Sequence, residues 1–106
     1  MTSADAYLAH IKTVITLCPN VAQWMTLREE AQGDIGMLSY RLTLTNDDLL
    51  EVFEFFRIVD EAVIRPKYSY HWRNADGVLR ARWDNAAHHP EITTHPHHVH
   101  RQSQTD

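Results

Sequence analysis

The sequence predicts an α+β fold: an N-terminal helix packed on an antiparallel, mostly meandering β-sheet, closed by an irregular histidine-rich C-terminal loop. Three observations carry this expectation. Residues 5–18 place their apolar side chains at helical spacing, whereas from Gly36 onward the apolar residues alternate. A turn sequence at residues 74–77 then joins two further alternating runs. One helix followed by consecutive strands leaves the helix to cover one face of a sheet.

Each element has its own grounds. In DAYLAHIKTVITLC, Leu8, Ile11, Ile15 and Cys18 form one stripe, with Tyr7 and Val14 beside it. Thr2 or Ser3 can cap the helix start, Asp5 suits the positive end of its dipole, and Pro19 ends it. Gly33, Asp34 and Gly36 read as a turn between two strands. From Gly36 to Leu44, Leu38, Tyr40, Leu42 and Leu44 alternate with Met37, Ser39, Arg41 and Thr43, which makes a strand with one apolar face. Asn46-Asp47-Asp48 supplies the next turn. The segment LLEVFEFFRIVDEAVI fits two templates. Leu49, Val52, Phe53 and Phe56 match a helical stripe with Asn46 as cap, but the Val, Phe and Ile content and the flanking strands favour a strand.

Asn74-Ala75-Asp76-Gly77 reads as a hairpin turn. With those four residues as the loop, Arg73 faces Val78. Tyr68, Tyr70 and Trp72 then share a face with Leu79, Ala81 and Trp83, and Lys67, Ser69, His71 and Arg73 share the other with Val78, Arg80, Arg82 and Asp84. One face is aromatic and directed towards the helix; the other is basic. The assignment depends on the turn, because a one-residue slip exchanges the faces of one strand. After Asn85 alternation stops, and Pro90 and Pro96 exclude a continuous helix or central strand.

The 106 residues, 43% of them hydrophobic, allow one domain with one modest core, over residues 1–100, with 101–106 as a frayed tail. No stretch approaches the roughly 20 apolar residues of a membrane span. The N-terminus lacks a basic region followed by an apolar run, so no signal peptide is expected. The single cysteine, Cys18, cannot form an internal disulfide and agrees with a reducing cytoplasm; its apolar neighbours suggest a buried structural thiol. Charge is uneven. Residues 1–60 hold four Lys/Arg against nine Asp/Glu, whereas residues 61–106 hold six against five and seven of the eight histidines. A net charge of −4 argues against general nucleic-acid affinity, so any such contact belongs to residues 65–101.

Six histidines lie within His88–His100, written HHPEITTHPHHVH. Histidine binds metals and transfers protons near neutral pH. A divalent metal at this tract is the lesser reading, since no HExxH motif or paired CxxC element accompanies it, and no cofactor is otherwise expected. Metal-independent RNA cleavage is the leading one. It requires a base, an acid and a cation for the phosphorane. His71, with a second histidine from His88, His89 or 95–100, would carry protons, and Arg80 or Arg82 would stabilise charge. Asp84 would orient a histidine or hold an arginine, and Arg41 could join from its own strand. The plainer account of Lys67, Arg80, Arg82 and Asp84 is a solvated sheet face. Tyr68, Tyr70, Trp72 and Trp83 could stack bases, but their direction towards the helix favours core packing.

The run KYSYHW, the NADG turn and RWDNAAHHPEITTHPHHVH together resemble the TumE-type toxin family of prokaryotic toxin–antitoxin systems, with Ala87 where that family usually has proline. The resemblance is close over residues 67–100 and extends less specifically through the rest. It implies a small cytoplasmic toxin neutralised by an adjacently encoded antitoxin, usually a helix-turn-helix protein. It marks Lys67, Tyr68, Tyr70, His71, Trp72, Arg82, Asp84, Asn85, His88, His89, His95, His97, His98 and His100 as candidates, without assigning roles. Because many small bacterial toxins cleave RNA, the system type adds weight to the nuclease reading. Nucleotidyl transfer, a metal-dependent reaction and a non-enzymatic docking module are the alternatives. The first finds no glycine-rich loop among only three glycines.

Overall fold

The computed structural model describes residues 1–85, together with the backbone of residues 98–101. Helix α1 (Ala4–Leu17) leads into β1 (Val21–Gln32), β2 (Ile35–Leu44), β3 (Leu49–Val59), β4 (Ala62–Arg73), β5 (Leu79–Asp84) and β6 (His98–Arg101). The strands form one antiparallel sheet in the order β1-β2-β3-β4-β5-β6, a pure meander. The expected α+β architecture is therefore present. The ambiguous segment is strand β3, and β6 makes the end of the histidine tract an edge strand rather than wholly irregular chain. The remainder of that tract, residues 86–97, lies outside the described residues.

Ser3 caps α1, its hydroxyl accepting from Ala6 N at 3.1 Å. Ala4 N donates to Gly33 O at 2.9 Å, which pins the helix start to the β1–β2 turn. That turn needs Gly33, whose φ is +62°. Gly36, expected in the turn, instead lies inside β2, where a Cβ would stand 2.6 Å from Phe56 Cζ and 3.0 Å from Glu30 O. It is a packing glycine.

The helix packs over β1, β2 and β3. Tyr7, Leu8 and Ile15 meet Leu38, Tyr40 and Leu42 of β2, and Phe56 and Ile58 of β3. The Tyr7 and Phe56 rings lie 4.5 Å apart, and Trp24 meets Tyr40 edge-on at 5.3 Å. Buried Glu54 accepts from Tyr7 Oη at 2.7 Å and Tyr70 Oη at 2.5 Å, with Arg65 Nε 3.3 Å away. This ionic knot satisfies a carboxylate that would otherwise be costly to bury. Cys18, expected to be buried, is half-exposed at the helix end.

The aromatic residues of the β4–β5 hairpin do share the helix side of the sheet, but the helix covers the other half of it. Tyr68, Tyr70, Trp72 and Trp83 are half-buried, and Tyr68 stacks on Tyr70 at 5.4 Å. The hairpin register also differs from expectation. His71 pairs with Arg82, Tyr70 with Trp83, and Ser69 with Asp84, two residues from the predicted partners. An even displacement keeps the faces for these residues. Nearer the turn, Trp72 pairs with Ala81 and Arg73 with Leu79, leaving Arg80 on a bulge. Leu79 and Arg80 thus exchange the sides assigned to them from sequence. Asn74 Oδ1 causes the longer loop by accepting from Asp76 N at 3.0 Å and Val78 N at 2.9 Å.

Candidate functional site on the open sheet face

The face turned away from the helix is where the basic residues gather. Pairing places Arg41, Glu51, His71, Arg82 and His100 in one cross-strand row from β2 to β6. The neighbouring row is Ser39, Phe53, Ser69, Asp84 and His98. The histidines of β6 are placed here by backbone register. Between the rows lies a shallow depression of about 280 Å³, lined by Phe53, Lys67, Tyr68, Ser69, His71, Arg82, Asp84 and Asn85. Small Ser69 makes it a hollow among longer neighbours.

Its charges are arranged with a surplus of cations. Arg82 Nε approaches Asp84 Oδ2 to 3.1 Å, at an angle that leaves this buried nitrogen without a hydrogen bond. The Asp84 carboxylate is buried, whereas the Arg82 side chain is 36% exposed, so the guanidinium still reaches solvent. Beside His71 in the row, Glu51 is shared by two arginines. Arg41 donates to Oε2 from Nε and Nη2 at 3.2 and 3.0 Å, and Arg73 holds Oε1. Lys67 adds a fourth cation against two carboxylates. A field of that sign attracts phosphate to an otherwise acidic protein.

A model of the family described as Toxin TumE matches residues 11–106. The chain belongs to the TumE toxin family. No curated protein and no solved structure gives a significant match.

In this TumE toxin, His71, Arg82 and Asp84 come together as the sequence suggested, and Arg41 joins their face. Arg80 does not. Its Nε lies 2.9 Å from Asp48 Oδ2 and its guanidinium sits 5.6 Å from the Trp72 ring centroid, on the aromatic side. Asp48 also accepts from Trp72 Nε1 at 2.9 Å, so Arg80 serves a buried carboxylate. Asn85 has a fixing role. Its Oδ1 accepts from Tyr68 N and its Nδ2 donates to Pro66 O, both at 2.9 Å, clamping the end of β5 onto β4. Tyr68, at the lip of the depression, has its pKa raised by burial and by the nearby Asp84 carboxylate. His88, His89, His95 and His97 lie outside the described residues. Among the described residues no group of three or more His, Cys, Asp or Glu is arranged to hold a metal. Nor is any helix among them long and apolar enough to cross a membrane.

Sequence reasoning overlooked Glu51 and Phe53 as members of this face. Their signal was the alternation within β3, which becomes informative once its pairing to both neighbours is known.

Proposed function

We propose that this TumE toxin is the toxin of a type II toxin–antitoxin system, acting in the cytoplasm by metal-independent cleavage of RNA. The observation that carries the reading is His71 directly opposite Arg82, with His100 opposite Arg82 on its other side. A proton carrier beside a partly exposed guanidinium is what phosphodiester transfer requires. One histidine removes the proton of the 2′-hydroxyl, and the 2′-oxygen attacks its own phosphorus. Arg82 stabilises the phosphorane. The P–O5′ bond breaks, and the departing oxygen takes a proton from the second histidine. The products are a 2′,3′-cyclic phosphate and a 5′-hydroxyl. His71 is one carrier; the other comes from His88, His89, His97, His98 or His100. Asp84 holds Arg82, and Arg80 has no part in the chemistry. The partner is a cognate antitoxin, a helix-turn-helix protein encoded beside the toxin.

The test is purified toxin incubated with total RNA, with and without chelator. Cleavage in both samples, leaving cyclic phosphate ends, is expected. Intact RNA in both, from a preparation that remains toxic in cells, would remove the nuclease reading. Folded His71→Ala and Arg82→Ala variants that bind antitoxin and stay fully toxic would replace it with a docking module.

A further inference from the structure

Phe53 has no role in the core, and its surroundings are unusual for a large aromatic residue. It lies on β3 on the open face and is absent from the apolar cluster under the helix. Its partner on β2 is Ser39 and its partner on β4 is Ser69. A phenylalanine on a sheet is normally covered by bulky cross-strand neighbours, which is how aromatic pairs stabilise strands. Two serines leave this half-buried ring without a bulky cross-strand cover on either side. Lys67 Nζ stands over it, 6.0 Å from the centroid, on a stem flexible enough to move aside. Phe55, two residues along the same face, is 41% exposed.

The ring also has a specific position relative to the proposed chemistry. Ser69 is directly opposite Phe53, so His71 and Lys67 are its diagonal neighbours, with β-carbons roughly 7 Å away. Both line the same depression as Phe53, together with Arg82. A flat aromatic surface flanked by cations suits an unpaired nucleobase whose phosphate lies beside the ring. Open antiparallel sheets that bind single-stranded RNA use this combination.

We propose that Phe53 is a stacking platform for an unpaired base next to the scissile phosphate, making single-stranded RNA the substrate class. Lys67 and Arg82 take the adjoining phosphates. A base held in a duplex cannot lie on the ring, so the platform discriminates against double-stranded RNA. The inference rests on the nuclease reading for the reaction, and on the serine-flanked ring and its charges for the binding.

The experiment uses the full-length toxin and a short oligonucleotide with 2′-deoxy sugars, which cannot undergo 2′-hydroxyl attack. Binding is followed by fluorescence anisotropy, single-stranded and as a duplex, for the native protein, Phe53→Leu and Phe53→Trp. The expected results are a preference for the single strand, affinity about ten-fold weaker in Phe53→Leu, and recovery in Phe53→Trp. Circular dichroism melts establish that both variants are folded. Should Phe53→Leu be unfolded, Phe53→Tyr and Phe53→Trp must still bind at native strength. Equal affinity for single strand and duplex, no binding, or native affinity in folded Phe53→Leu would overturn the platform. RNA cleavage unaffected by Phe53→Leu would overturn it too, while leaving the reaction in place. Ring-dependent binding without cleavage of an all-RNA strand would support the platform and remove the reaction.

Discussion

At the scale of single residues, the proposed nuclease reading gives the two arginines of β5 different parts. Arg80 neutralises buried Asp48, so Arg80→Ala should cost about 1–3 kcal/mol in urea denaturation while sparing RNA cleavage. Arg82→Ala should lower cleavage by roughly 10²–10³-fold and also cost stability, since Asp84 is buried as well; its loss of cleavage is what sets it apart from Arg80→Ala. His71→Ala should lower it by about 10²–10⁴-fold, the range of a lost proton carrier. If Arg80→Ala proves the more damaging to cleavage, the assignment of sides to these arginines fails. Gly36 makes a different demand. Because its missing Cβ leaves room for Phe56 Cζ, Gly36→Ala should destabilise the fold by about 1–3 kcal/mol through overpacking. An unchanged denaturation midpoint would show that the Phe56 ring moves freely, contrary to its complete burial.

At the scale of elements, the turns decide what the strands can do. β3 and β4 are joined by Asp60 and Glu61, with φ of +51° and +66°. Left-handed backbone costs a non-glycine residue roughly 1–2 kcal/mol. Glu61→Gly should therefore raise stability by about 1 kcal/mol, measurable as a higher melting temperature; a lower one would mean that the glutamate side chain contributes more than its strained backbone costs. The same turn explains part of what the sequence concealed. Asp-Glu carries none of the glycine or asparagine that marks a hairpin, so β3 and β4 read as one run. Helix α1 and β2 were legible because their periodicities are local. β3 matched a helix as well as a strand, since Leu49, Val52, Phe53 and Phe56 satisfy a 3.6-residue repeat; pairing to β2 and β4 determined the outcome. Lys67, His71, Arg82 and Asp84 were legible as one face because an even displacement of register conserves alternation. Arg80 was misplaced because the bulge arises from Asn74 hydrogen bonds within the loop, which alternation does not report. Pro66 shows that such breaks can be coded: it falls where Arg65 and Pro66 oppose Phe56 alone, a bulge in which a missing N–H is tolerated.

For the molecule as a whole, pH dependence follows from two kinds of buried contact. Burial and then the hydrogen bond to Glu54 push the Tyr7 hydroxyl up to about 12. Burial likewise raises Tyr40 and Tyr70 further, assisted by Glu29 and Glu54 respectively. A raised native pKa gives stability that is whole below the unfolded value of 10.0 and is lost as pH rises towards the native one. Glu29 has the opposite sign. Burial raises its pKa, but hydrogen bonds from Tyr40 and Lys12 outweigh burial and leave it below 4.5. Its contribution is whole above 4.5 and disappears as pH falls through the lower native value. Melting temperatures should therefore form a plateau that declines above pH 10 and below pH 4.5, with Glu29→Gln removing part of the acid decline. An acid decline identical in Glu29→Gln would assign it to other carboxylates. The pure meander carries a consequence for the growing chain. Each strand pairs with its neighbours in sequence, so the sheet can be laid down in the order of synthesis. The core is supplied by residues between Ala4 and Ile58, whereas His71 meets Arg82 when β5 docks. A nascent chain halted before Leu79 would thus hold the residues of its hydrophobic interior and His71 while still lacking Arg82 opposite. On the proposed chemistry, such a chain would have its interior before it is armed.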